Sequence, residues 1–254
     1  MKPTHPQNRT SLLAGTGLAR ASLMSSDRRH YLMRALLATL LLVCTLAAWP
    51  AAAAYVIEPD IVQEYLALRH EVQTHPDSAD VRFEYAVCLS YMGKVEESRS
   101  SLKQVKTLDP EFPVKALPRY IEQSRRNPAD LRLKFRLGFL YYFADKHEQA
   151  LKIFGEIAEH RPAGQLNAWA LGYMAVIRGD QGQWSEAEDL VRRALRLEPD
   201  AYGLHAALAA ALKAQGNLLA ALREYFTALH DRREFEAYEK TLWRPDVSGT
   251  AHSD

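Results

Sequence analysis

AWALGYMAVIRGDQGQWSEAEDLVRRALRLEPDA, residues 168–201, is the stretch whose reading decides the architecture of this chain. It holds an apolar run at helical spacing, a break at Gly182, and a second amphipathic run that closes at Pro199. Moved 34 residues forward, the segment sets Gly216, Ala221, Ala228 and Leu229 under Gly182, Ala187, Ala194 and Leu195. Moved backward, it matches 131–164 through Leu137, Gly138, Tyr141, Ala150, Phe154, Ile157 and Pro162. It matches 79–112 more loosely, through Tyr85, Ala86, Gly93, Leu102, Leu108 and Pro110. Self-similarity at a fixed period marks stacked supersecondary units, each too small to bury its own apolar face.

Every unit repeats one internal logic. An apolar helical run is followed by a short break near Gly93, Asp145, Gly182 or Gly216, and then by a second amphipathic run. That pattern is a helix, a tight turn and a second helix. Small residues at Ala150, Ala187 and Ala221 allow the two helices to approach, with Leu102, Phe154 and Tyr225 expected to fill the space between them. Pro110, Pro162 and Pro199 stop the second helix in three of the units, because proline lacks the N–H that would continue the ladder.

These positions resemble the tetratricopeptide repeat family over about residues 79–235. The resemblance rests on Leu137-Gly138-x-x-Tyr141, Ala150-x-x-x-Phe154 and the run from Ala187 to Pro199. Departures are Ser98 in place of a small alanine, Arg233 in place of the last proline, and the 18-residue spacer 113–130. The resemblance implies an all-α fold, a right-handed solenoid of antiparallel helix hairpins, with single helices flanking it. It also implies that the first helix of each unit lines a concave groove. That puts Phe83 and Tyr91 there from the first unit, Arg132, Phe135, Phe139, Tyr142 and Phe143 from the second, and Trp169 from the third. One half of the groove is aromatic. The other half is lined mostly by small residues: Gly172, Val176, Gly179 and Asp180, then Gly203, Ala206, Ala210, Lys213 and Ala214. The aromatic half reads as a seat for apolar side chains of a partner peptide or helix, or else as core packed against the spacer helix. Arg132 and Lys213 are two units apart and no asparagine accompanies them, which disfavours capture of a C-terminal carboxylate.

The flanks add single helices. Residues 55–78 contain an amphipathic helix from Asp60 to Gln73. The array proper occupies 79–243, with an extra helix near 114–126 that the pattern starts at Pro118, and a capping helix near 232–243 carrying Phe235, Tyr238, Leu242 and Trp243. The remaining 244–254 has no pattern and is expected to be disordered.

Residues 1–54 read as a leader. Arg28, Arg29 and Arg34 precede an apolar run from Ala35 to Trp49, then Pro50 and the alanines 51–54, which is the layout of a secretory signal cleaved after Ala54. The uncharged stretch 35–57 is also long enough for an uncleaved anchor, so an inner-membrane protein with its repeats outside the cytoplasm is the alternative to a periplasmic one. A lipid-modified Cys44 is disfavoured, since Leu41-Leu42-Val43 lacks a small residue before it. Removal of the leader leaves only Cys88, so no internal disulfide is available to the body.

Charge separates leader from body. Residues 1–54 hold six basic groups against Asp27 alone, so of the formal net charge of +1 the body carries −4. A mildly acidic body without a basic stripe is a poor nucleic-acid binder. No His-Glu-x-x-His, Gly-rich phosphate loop or Gly-x-Ser-x-Gly occurs, and the nine histidines lack ligand spacing. His147-Glu148 reads as helix-start chemistry. The expectation is therefore a non-enzymatic scaffold or adaptor in the cell envelope, without cofactor or metal, whose partners are other proteins. A self-associating structural protein is the alternative.

Overall fold

In the computed structural model, residues 57–242 are described, and they form ten α-helices without a strand among them. The leader, its cleavage site and Trp243 with the tail lie outside the described residues. A single helix α1 (Pro59–Thr74) leads into a first hairpin, α2 (Ala79–Tyr91) and α3 (Val95–Leu108). The lone α4 (Phe112–Arg126) follows. Three more hairpins complete the chain: α5 (Leu131–Phe143) with α6 (His147–Ala158), α7 (Gln165–Asp180) with α8 (Trp184–Leu197), and α9 (Tyr202–Ala214) with α10 (Leu218–Leu242). Except for α3 and α4, consecutive helices pack on one another, and the fold is the expected solenoid of antiparallel hairpins.

The hairpin turns are built alike. Gly93, Asp145, Gly182 and Gly216 have φ of +85°, +57°, +77° and +81°, the left-handed conformation that ends a helix and reverses the chain. In each turn the next residue's N–H reaches back to a carbonyl in the preceding helix: Lys94 to Leu89 and Lys146 to Tyr141 at 2.9 Å, Gln183 to Arg178 at 2.8 Å, and Asn217 to Leu212 at 2.9 Å. At the other end, the Ser78 and Asp130 side chains accept from the N–H groups of Val81 and Leu133, capping α2 and α5. Asn167 ties α7 to the preceding hairpin: its Nδ2 donates to the Ile157 carbonyl at 2.7 Å and to that of His160 at 3.0 Å.

Departures from the repeat pattern have physical readings. Ser98 is buried, and its hydroxyl donates to the Ala86 carbonyl at 2.7 Å, so a small polar residue fits where alanine is usual because it finds an acceptor in the facing helix. The spacer helix starts at Phe112 rather than at Pro118. Pro113 takes the first turn, where its missing N–H costs nothing, while Pro118 sits inside α4. The capping helix expected near 232–243 is not a separate element. With Arg233 where a proline would stop the second helix, α10 runs unbroken for 25 residues, and its last turns extend along the molecule instead of folding back over the exposed end.

The array curls back on itself. Tyr65 of α1 and Lys94 at the first hairpin turn both reach Glu239 near the end of α10: the Tyr65 hydroxyl donates at 2.8 Å and Lys94 Nζ at 2.7 and 2.8 Å. Glu58 and Gln165 exchange hydrogen bonds at 3.2 and 3.3 Å, and Gln165 Nε2 donates to the Tyr91 carbonyl at 3.1 Å. Trp169 lies so close over Gly93 that a Cβ there would meet its ring at 2.8 Å. A Cβ on Gly203 would meet the Gly93 carbonyl and the Trp169 ring at 3.1 Å each. Helix α2 therefore packs along the inside of the curve, against both α5 and α7.

Two predictions test this closure. Burial pushes the Glu239 carboxyl up, but hydrogen bonds from Lys94 and Tyr65 outweigh it and hold the group below its ordinary value. Lys94→Met should leave Glu239 without its cation and lower stability by about 2 kcal/mol in chemical denaturation. The double variant with Glu239→Leu should recover most of that loss. Glu198, at the end of α8, is pushed up to about 7 by burial, with Glu58 and Asp200 nearby adding to the effect. A carboxyl whose folded pKa is raised stabilises the fold below its unfolded value near 4.3, and that contribution is lost as pH climbs to about 7. Stability should accordingly fall between pH 4.5 and pH 7 by about 1 kcal/mol after solvent screening, and Glu198→Gln should flatten that slope in thermal melts.

Candidate functional site

The eight residues that the repeat pattern assigns to a groove divide in two. Phe83, Tyr91, Phe135, Phe139 and Trp169 are fully buried, while Arg132, Tyr142 and Phe143 are half-buried. The aromatic half is filled by the chain itself. Phe83 packs on Phe112 and Tyr120 of α4 at ring distances of 5.3 and 5.6 Å, and Phe143 stacks on it at 6.4 Å. Phe135 meets Tyr91 edge-on at 5.4 Å and Phe154 at 5.2 Å, and Tyr173 sits 5.0 Å from Phe139. Edge-to-face contacts of this kind add to what burial alone contributes. These rings form the core between α2, α4, α5 and α7, so a partner peptide has no access to most of them. The reading that packed them against the spacer helix describes their environment.

Arg132 is likewise engaged internally. It pairs with Asp60 and, at 3.5 Å, with Glu64, both on α1. One turn on, Arg136 joins Glu64 and Glu84, and the Tyr120 hydroxyl donates to Glu84. The network ties α1, α2, α4 and α5 together. It takes up the basic charge that the groove reading assigned to a ligand.

The small-residue half is open. A cavity of about 520 Å³ is lined by Trp169, Gly172, Val176, Gly179 and Asp180 of α7 and by Gly203, Ala206 and Ala210 of α9. These match the expected offsets of the third and fourth units, and only the edge of the buried Trp169 contributes. The walls come from elements that the repeat pattern did not assign to the groove: Val95, Glu96 and Arg99 on α3, and Tyr225, Ala228, Leu229 and Arg232 on α10. Tyr225, expected between the helices of its own hairpin, is half exposed at this mouth. A second depression of about 510 Å³ continues past Arg99, Tyr173, Val176 and Asp180 to Tyr142, Phe143, Asp145 and His147. Its α3 wall carries Arg99, Lys103 and Lys106, spaced to fall on one helical face.

Sequence reasoning missed α3 and α10 as walls because the repeat pattern assigns the groove to first helices alone. The inward curl brings the second helix of the first hairpin to the rim instead. The signal available was the Arg99, Lys103, Lys106 spacing, which puts three cations on one face of the helix.

Chemically, the open groove offers a smooth apolar floor, aromatic edges and charges on the rim. It shows no cluster of groups suited to bond-making chemistry. Among the described residues, no group of three or more His, Cys, Asp or Glu side chains is placed to hold a metal ion, and no helix is long and apolar enough to cross a membrane. Cys88 is buried in α2, and burial pushes its thiol well above the usual value, which keeps it protonated and unreactive.

No family model matches the chain, and no curated protein matches it. Among solved structures, it is similar to a MamA RS-1 double mutant at 13% identity, covering 68% of this chain and 85% of that one with a TM-score of 0.39. It is similar to MamA AMB-1 at 19% identity, covering 68% and 90% with a TM-score of 0.37. MamA from Desulfovibrio magneticus RS-1 is 12% identical over 69% of this chain and 87% of that one, with a TM-score of 0.37.

The division of the groove is open to test by paired substitutions. Phe135→Ala should cost about 3 to 4 kcal/mol in denaturant melts, as removal of a core ring does. Ala206→Ser, on the exposed floor, should stay within about 0.5 kcal/mol of the parent.

Proposed function

We propose that this chain is a protein-interaction scaffold that works outside the cytoplasm and holds an apolar helix or extended segment of a partner protein in the groove between α3, α7, α9 and α10. One observation carries the reading. The cavity of about 520 Å³ has Ala206 and Ala210 open to solvent on its floor, small enough to let a partner backbone approach closely, and Tyr202 and Tyr225 on its edges, which supply contact area at low entropic cost. Rim charges on Glu96, Arg99, Asp180 and Arg232 are suited to fixing the register of what lies between them. The extracytoplasmic placement is supported by Arg28, Arg29 and Arg34 ahead of the apolar run 35–49.

The test is affinity capture from envelope extract with the full chain and with an Ala206→Trp, Ala210→Trp variant. Both positions face solvent in the groove, so the indoles fill it without disturbing the core. The expected outcome is a specific partner held by the parent, lost by the filled variant, and retained by a Val114→Ser control on the remote face of α4. Equal capture by parent and filled variant would remove the groove as the binding site.

A further inference from the structure

The first three turns of α10 carry a row of large apolar side chains that nothing among the described residues covers. Leu219 is 84% exposed, Leu218 and Phe226 about as much as Leu222 and Tyr225, all above half. In a helical-hairpin array this outer face of a second helix is where a further hairpin would pack, and α10 is the last described element. Residues 232–242, which the pattern expected to fold back over it, instead continue α10 toward Tyr65 and Lys94. An apolar strip of this kind on a folded domain marks a contact surface.

We propose that a second copy of this chain covers the strip, with the two α10 helices packed antiparallel about a two-fold axis near Glu224. Three features select a second copy. The strip is self-complementary in that register: Leu222 of one copy meets Phe226 of the other, and the same pair recurs across the axis. Its charges do not oppose this. Glu224 is turned inward to His205 at 2.7 Å, and Arg223 is exposed at the edge of the strip, where its charge stays in water. The area is also commensurate. Leu218, Leu219, Leu222 and Phe226 leave about 500 Å² of surface per copy, so a two-fold pair buries about 1,000 Å², the lower end of what a specific dimer needs. The result is a reversible dimer, and an isologous contact closes at two copies instead of growing into a fibre. Each dimer then presents two grooves, since the cavity lies on the other side of α10 from Leu219 and Phe226.

Sedimentation velocity of the full chain over a concentration series tests this, with Leu222→Glu and Phe226→Lys made separately. Both side chains point to solvent, so unchanged helicity and melting temperature are expected of each variant. The parent should show a monomer–dimer equilibrium. Each single variant should weaken it by at least about tenfold, and an equimolar mixture of the two should recover heterodimer, because residue 222 of one copy faces 226 of the other. A parent that stays monomeric overturns the proposal. So does a dimer that survives both substitutions, which would put the contact in the groove or in a segment outside 57–242. A mixture no better than the single variants overturns the antiparallel register.

Discussion

Trp169 lying across Gly93 and Gly203 is the contact on which the closed form depends. The ring joins α7 to the first hairpin turn and to the start of α9, and neither glycine has room for a methyl group beneath it. Three elements distant in sequence thus converge at one indole. Once they do, Lys94 and Tyr65 come within reach of Glu239, α2 lies inside the curve, and the rings of Phe83, Tyr91, Phe135 and Phe139 become core. Solenoid stability is ordinarily a sum of neighbour contacts. Here contacts spanning more than 100 residues add to that sum, so loss of either end should be felt at the other.

Closure also explains how burial and function divide along the array. The first two units contribute large rings at the positions facing inward, and these rings hold α1, α2 and α4. The last two units contribute small residues at the equivalent positions; Leu204 and Trp184 pack over Gly172 and Gly179, and the cavity remains beside Ala206 and Ala210. One repeat geometry therefore yields a core at one end and a groove at the other.

Much of the fold was legible in the sequence, because hairpin turns leave a strict local signature. Gly93, Asp145, Gly182 and Gly216 mark the four reversals that the pattern placed there, and all four have a positive φ. The inward-facing offsets were legible as well. What covers them was not, since periodicity reports which face of a helix is apolar and nothing about what lies against it. Phe135 and Ala206 both occupy groove offsets, yet one is core and the other faces open space. The contacts that separate them, Glu58 to Gln165 and Lys94 to Glu239, join residues 107 and 145 positions apart, and no local pattern encodes such a pairing.

The fate of α10 shows how a single position can move a surface. A proline at 233 would have ended the second helix one turn past Leu229 and let Phe235 and Tyr238 fold back over Leu219 and Leu222. With arginine there, the helix continues, Phe235 packs instead on Tyr202 at 5.5 Å, and Glu239 reaches the first hairpin. The residues that would have capped the array thus close it. Its last described face is left apolar, with Leu219 and Leu222 uncovered among the described residues, by the same step that closes the interior.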